Sequence, residues 1–462
     1  MTRQTTHRAL AALSLGLLVS ASGCYAGYAG AVSEMHAAID QGDADAALLF
    51  ANQALGVDNA QMLPSESHGD TPLLLLERAS LLQSMGRHGD AARDFAEADK
   101  SMEVLDLSQD DAAQIGEYLF SDDIEIYKAP PHEKLLVNTL AMLSYLADGD
   151  LDGARVEARR LTVLQKYFEG VAPEERALFG LGSYVAGFTF EKSGEADQAL
   201  RYYIEARDKG GHDRFAAPIV YLGKQTGFTH DLVAQAALEA PDASAPEAGE
   251  GEILVVVQNG RGAFKEPERF PIGAFVVSDI HVHMSVEARA DADRVMASGL
   301  LKWINFPVLR SVPPRLDSFR VRVDGETAEP QVGLDVDASI ISAWESNKDK
   351  LMVAAFTRMV TRAVAGEATR AVGEGSGLDK NLFPGASALL GAVVEGAMAA
   401  NDTPDTRSWT MLPSDIRIYR LKVPAGEHKI TVTGSGTGSA RRSMTVDVRP
   451  GGFALANFRF LN

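Results

Sequence analysis

Two stretches between Glu133 and Lys209 carry nearly the same pattern: EKLLVNTLAMLSYLADGDLDGARVEARRLTVLQ and ALFGLGSYVAGFTFEKSGEADQALRYYIEARDKG. Each opens with apolar residues at helical spacing, turns at a glycine (Gly149, Gly194) and continues into a second helix rich in small residues. An alanine follows each glycine at the same offset (Ala154, Ala199), then Ala158 or Tyr203, then Leu161 or Ala206. Small residues let two helix backbones approach, and larger ones a turn further on lock them together. The pattern therefore predicts antiparallel helix pairs.

The signature recurs upstream. In PLLLLERASLLQSMGRHGDAARDFAEADKSM, Ala79 and Leu82 precede Gly86, and Ala91, Phe95 and Ala98 follow it. A fainter copy pairs Val32 to Gln41 with Ala44 to Leu55 across Gly42, with Ala47, Ala51 and Ala54 at the matching offsets. This set resembles the tetratricopeptide repeat. The turn glycines are unevenly spaced, so loops or extra helices separate the pairs. One such insertion, Asp110 to Pro131, has acids at Asp122, Asp123 and Glu125 without the calcium-loop spacing, and reads as a solvated loop. One further helix is predicted from Phe215 to Glu239.

The resemblance implies a concave groove lined by the first helix of each pair. Leu73, Leu76, Leu136, Thr139, Leu143, Leu146, Leu181, Tyr184 and Phe188 map to it. So apolar a strip requires an occupant, either an apolar partner peptide or the protein's own C-terminal part. Arg155 and Arg159, with Glu157 nearby, map to the outer helix of a pair. They read as ion pairs with neighbouring acids or as a docking surface for another envelope protein.

The start of the chain reads as a targeting segment. Arg3, His7 and Arg8 precede an apolar run from Ala9 to Val19, then Ser20-Ala21-Ser22-Gly23-Cys24. Small residues before a cysteine resemble the lipobox of bacterial lipoproteins, with Ala21 where leucine is commoner. The chain's single cysteine is Cys24, and the resemblance implies lipid attachment there. Residues 1–23 are then a signal peptide. Tyr25, in place of the aspartate common in inner-membrane lipoproteins, favours the periplasmic face of the outer membrane. At 462 residues the chain has room for several domains. Its net charge of −19, with no basic run, argues against nucleic acid as the main ligand.

The helical part spans 24–239, and the Ala-, Pro- and acid-rich run 240–252 is a linker. From residue 253 to 462 the character is β-rich. EILVVVQNG reads as a buried strand ending at an Asn-Gly turn, and SDIHVHMSVE and SFRVRVDGE alternate with period two. DIRIYRLKVPAGEHKITVTGSGTGSARRSMTVDVRPGGFALANFRFL reads as four strands joined by turns at Pro-Ala-Gly, Gly-Ser-Gly and Pro-Gly-Gly. A two-helix insertion at about 338–400 interrupts the strands. Its second part, Leu382 to Ala400, carries one charge, Glu395, and reads as a closely packed helix or as a membrane-inserting one. The expected fold class is α+β, with tetratricopeptide-like helices followed by a sandwich-like antiparallel β domain.

Chemistry-bearing motifs are sparse. No HExxH, GxSxG, phosphate-binding loop or dinucleotide fingerprint occurs, and no cofactor or metal is assigned. The run from Asn259 to Gly262 reads as a turn. His281 and His283 point to one face of a predicted strand, where they are solvent-facing or, with Asp279 or Asp291, the start of a metal site. GDLDGARVEARR, EKSGEADQALRYYIEA and DTRSWTMLPSDIRIYRLKVPAG, in that order, resemble a family of uncharacterised bacterial lipoproteins with helical repeats. That family brings architecture and location but no established activity. The expectation is a non-enzymatic, lipid-anchored adaptor that binds an envelope protein, in cell-wall or surface-polymer assembly. The alternative is a periplasmic metal-dependent hydrolase using His281 and His283.

Overall fold

The computed structural model describes residues 28–104, 126–168, 176–210, 215–271, 303–375 and 404–461. The chain is a mixed α+β protein with helices mainly N-terminal and strands mainly C-terminal. Four helix pairs come first: α1 (Tyr28–Asp40) with α2 (Ala44–Ala54), and α3 (Thr71–Ser84) with α4 (His88–Ser101). After the two-residue strands β1 (Glu103–Val104) and β2 (Lys128–Ala129) come α5 (Pro131–Asp148) with α6 (Leu151–Phe168), then α7 (Arg176–Lys192) with α8 (Ala196–Gly210). The four turn glycines have φ between +74° and +82°, a left-handed conformation that closes each helix and is costly with a Cβ. The single helix expected from 215 to 239 is two, α9 (Ala216–Thr226) and α10 (Asp231–Glu239). Gly227, at φ +70°, ends the first.

The strands are β3 (Glu250–Asn259), β4 (Phe264–Pro271), β5 (Trp303–Arg310), β6 (Leu316–Val323), β7 (Glu326–Ala328) and β8 (Val332–Asp335). After helix α11 (Val336–Gly375) come β9 (Asp415–Pro424), β10 (Gly426–Gly436), β11 (Ser439–Val448) and β12 (Phe453–Phe460). One sheet has the order β12-β3-β9-β8, a second β11-β10-β6-β7, and β4 pairs with β5. The pairing is not wholly antiparallel, because β12 runs parallel to β3 with Phe453 opposite Glu252.

These parts stack as helices, first sheet, second sheet. The continuous apolar run of β3 reflects its middle position. Ile253, Val255 and Val257 join the core between the sheets, and Leu254 and Val256 join the core under the helices. The helical core also takes in Ile416 and Ile418 of β9, Val332 and Leu334 of β8, and Leu455 of β12. Helices and first sheet thus share one hydrophobic interior. Within the expected linker, Ala240 and Ala243 pack on that interior, and residues 250–252 already belong to β3. An acid-rich run reads as solvated, yet Glu252 is buried because Arg420 lies above it.

Candidate functional site

The residues that converge most tightly lie where an irregular segment, 404–412, enters the helical layer. Main-chain N–H groups buried outside a sheet or helix need acceptors from elsewhere. Here two glutamates supply them. The Trp409 N–H donates to Glu133 Oε1 at 3.0 Å, the Thr410 N–H to Glu77 Oε1 at 2.7 Å and the Met411 N–H to Glu77 Oε2 at 2.8 Å. Glu77 Oε1 also accepts from the Thr410 hydroxyl at 2.8 Å and the Tyr28 hydroxyl at 2.6 Å. Tyr127 donates to Glu133 Oε2 at 2.8 Å. From the sheet side, Arg459 Nη2 donates to the Met411 carbonyl at 2.8 Å.

Helical spacing sets up this grip. Glu77 and Ser80 lie on one face of α3, one turn apart, and Ser80 Oγ accepts from Trp409 Nε1 at 3.0 Å. The Trp409 ring is buried 5.7 Å from that of Phe95. At the segment's entrance Arg407 is forked onto Asp405 and bonds Asp70 Oδ1 at 2.8 Å. Burial pushes the Glu77 carboxyl up to about 7 against its four donors, and burial with Arg442 nearby pulls Arg459 down to about 9.

Beside the segment lies a cavity of about 950 Å³ lined in part by His36, Asp70, Arg261, Lys265, Arg407 and Thr410. His36 Nε2 stands 2.9 Å from the Thr410 hydroxyl. Burial, reinforced by Arg261, lowers His36 to about 4, so its ring is neutral near pH 7. The Thr410 proton is committed to Glu77, which makes His36 the donor from Nε2. A hydroxyl held between two partners in that order is fixed in place, not activated for attack.

A second buried array ties helices to sheet. Arg420 of β9 meets Glu191 at 2.6 Å and Glu252 at 2.7 Å, and donates to the hydroxyls of Tyr203 at 2.9 Å and Tyr221 at 2.8 Å. Burial raises the Glu191 carboxyl, but Arg420 and Lys192 more than offset it and hold it at about 2.

The residues singled out in the sequence fall into three groups. Leu136, Thr139, Leu143, Leu146, Leu181, Tyr184 and Phe188 are all buried, as are Leu73 and Leu76. Of the two occupants expected for that face, a partner peptide or the chain's own C-terminal part, the structure has the second: the first sheet and segment 404–412 lie there, so these residues do not form an open partner site. Phe188 packs edge-on against Phe453 at 5.4 Å, and Tyr184 donates to Gln331 at 3.1 Å. Arg155 is half-buried and pairs with Asp152 at 3.2 Å and Glu195 at 2.5 Å. Arg159 is exposed, its guanidinium 5.8 Å from the Phe190 ring centre. Cys24, His281, His283, the acids at 122–125 and Leu382 to Ala400 lie outside the described residues. Among the described residues no three His, Cys, Asp or Glu side chains gather as a metal site requires, and no helix is long and apolar enough to cross a membrane.

Glu77, Glu133 and Arg459 were not foreseen. The available signal was a charge inside an otherwise apolar run, Glu77 after four leucines. In comparisons with known proteins, no family model matches the chain and no curated protein matches it.

Proposed function

We propose that this chain is a lipid-anchored, non-enzymatic scaffold on the periplasmic face of a bacterial outer membrane. In this reading Cys24 carries the lipid, the helix pairs are tetratricopeptide-like repeats, and the two sheets form a sandwich-like domain with a two-helix insertion. One observation carries the placement of its docking surface. The inner face of the helices is filled by the chain itself, while α6 turns Val156, Arg159, Val163 and Tyr167 outward along one stripe. Val163 is 70% exposed, and Arg159 and Lys166 are exposed beside it. An apolar stripe edged by cations fits an amphipathic helix whose flanks carry carboxylates.

A photoreactive residue at Val163, introduced in growing cells, tests this. The expected result is a discrete heavier species that disappears when Arg159→Glu and Val156→Glu are added. Adducts confined to this chain itself, or an adduct unchanged by both substitutions, overturn the docking surface.

A further inference from the structure

The second sheet turns its inner side to the core through Ile430, Val432, Val321 and Val323. The alternate residues therefore form its outer face, and the strand registers set them in rows. One row is Arg322–Thr431–Ser443, the next Arg320–Thr433–Arg441, and the next is all serine, Ser318–Ser435–Ser439. Lys429 stands beside the first row, opposite Thr445. The four cations are exposed, and among the described residues none has a carboxylate within ion-pairing distance.

That absence is informative in this chain. Acids outnumber Lys and Arg by 63 to 44, and many cations elsewhere are paired: Arg78 with Asp94, Arg207 with Glu239, Arg420 with Glu191 and Glu252. The acids of this face gather at one end, beyond the arginine rows: Glu427 opposes Asp447, and Asp324, beside Lys429, accepts from the Lys429 N–H at 2.8 Å and pairs with His428. Like-signed charge held together on one sheet face, with no carboxylate paired to it, suits a ligand that brings its own negative groups.

The chemistry between the cations narrows the class. Thr431 and Ser443 share a hydrogen bond at 3.0 Å, as do Ser318 and Ser435 at 2.9 Å, so the rows present hydroxyls able to donate and accept. Guanidinium forks match carboxylates. The rows hold no apolar side chain to insert among lipid tails and no aromatic ring on which a base would stack. We propose that this face binds an acidic, uronate-bearing polysaccharide through Arg320, Arg322, Lys429 and Arg441. Several weak contacts along one polymer chain act together there. The inference stands apart from the α6 stripe, and either survives failure of the other.

Affinity electrophoresis of the full chain through gels containing polygalacturonate tests it, with dextran gels and phosphatidylglycerol vesicles alongside. Retardation by polygalacturonate that weakens as salt is added is expected, with none by dextran. The combined Arg320→Ser, Arg322→Ser and Arg441→Ser variant should bind about tenfold or more weakly, with its circular dichroism and thermal midpoint unchanged. If that variant does not fold, the salt response of the unaltered chain decides. Salt-insensitive retardation, equal retardation by dextran, full binding by the folded variant, or binding to vesicles but not to polygalacturonate each overturns the proposal.

Discussion

Glu157 stands on the inner side of α6, with Oε1 accepting from Arg160 Nη1 at 2.7 Å and Oε2 buried without a hydrogen-bond partner. Burial pushes this carboxyl up to about 7, partly opposed by Arg160. Its folded pKa thus lies above the unfolded value near 4.5. Between those limits the folded protein holds the proton more tightly than the unfolded chain does. The contribution of Glu157 to stability is therefore fully present below about pH 4.5 and falls as pH rises towards 7. Glu157→Gln keeps the shape and removes the titration. Urea midpoints at pH 4.5 and pH 8 should show the variant gaining on the unaltered protein at the higher pH. An equal difference at both would mean that Glu157 is not held in its neutral form. The same logic extends to Glu77, whose carboxyl holds a main chain in place of an ion.

At the level of elements, Arg420 joins β9 to β3 through Glu252 and to α7, α8 and α9 through Glu191, Tyr203 and Tyr221. Arg420→Ala leaves two buried carboxylates short of their cation. It should cost about 3–5 kcal/mol in chemical denaturation, and a loss below about 1 kcal/mol would show that the array is only marginal. Arg420 also marks the limit of what the sequence discloses. The alternation in DIRIYRLKV predicts a strand, and β9 is one. Its helix-facing positions run Ile416, Ile418, Arg420, and nothing local says that the third is buried as deeply as the others. The helix pairs, their glycine turns and the turn at Asp324-Gly325, both residues at positive φ, were legible because each rests on residues close in the chain. The clamp on Trp409, Thr410 and Met411 was not, because its glutamates lie some 280 to 330 positions earlier. Apolar patterning marked the inner helical face correctly as needing cover. It carries no information on which part of the chain provides that cover.

Across the whole molecule, the middle layer settles how the outer two behave. The first sheet gives one face to the helices and the other to the second sheet, so it belongs to neither alone. Strand β12 is central to this, with Leu455 under the helices and Phe458 and Phe460 between the sheets. Removing residues 450–462 should therefore loosen helices more than 200 positions away. Hydrogen exchange of the truncated chain is expected to show lost protection in α3, α5 and α7. Protection retained there would mean that the helical layer stands without the sheet. The order of synthesis gives this arrangement a further consequence. The helices are made first, and the strand that covers their oily side is among the last pieces to appear. Until then the early part of the chain has no finished interior to collapse around. Were the chain exported as proposed above, such a delay would help it, because helices still waiting for their covering strand stay loose enough to be threaded through a membrane.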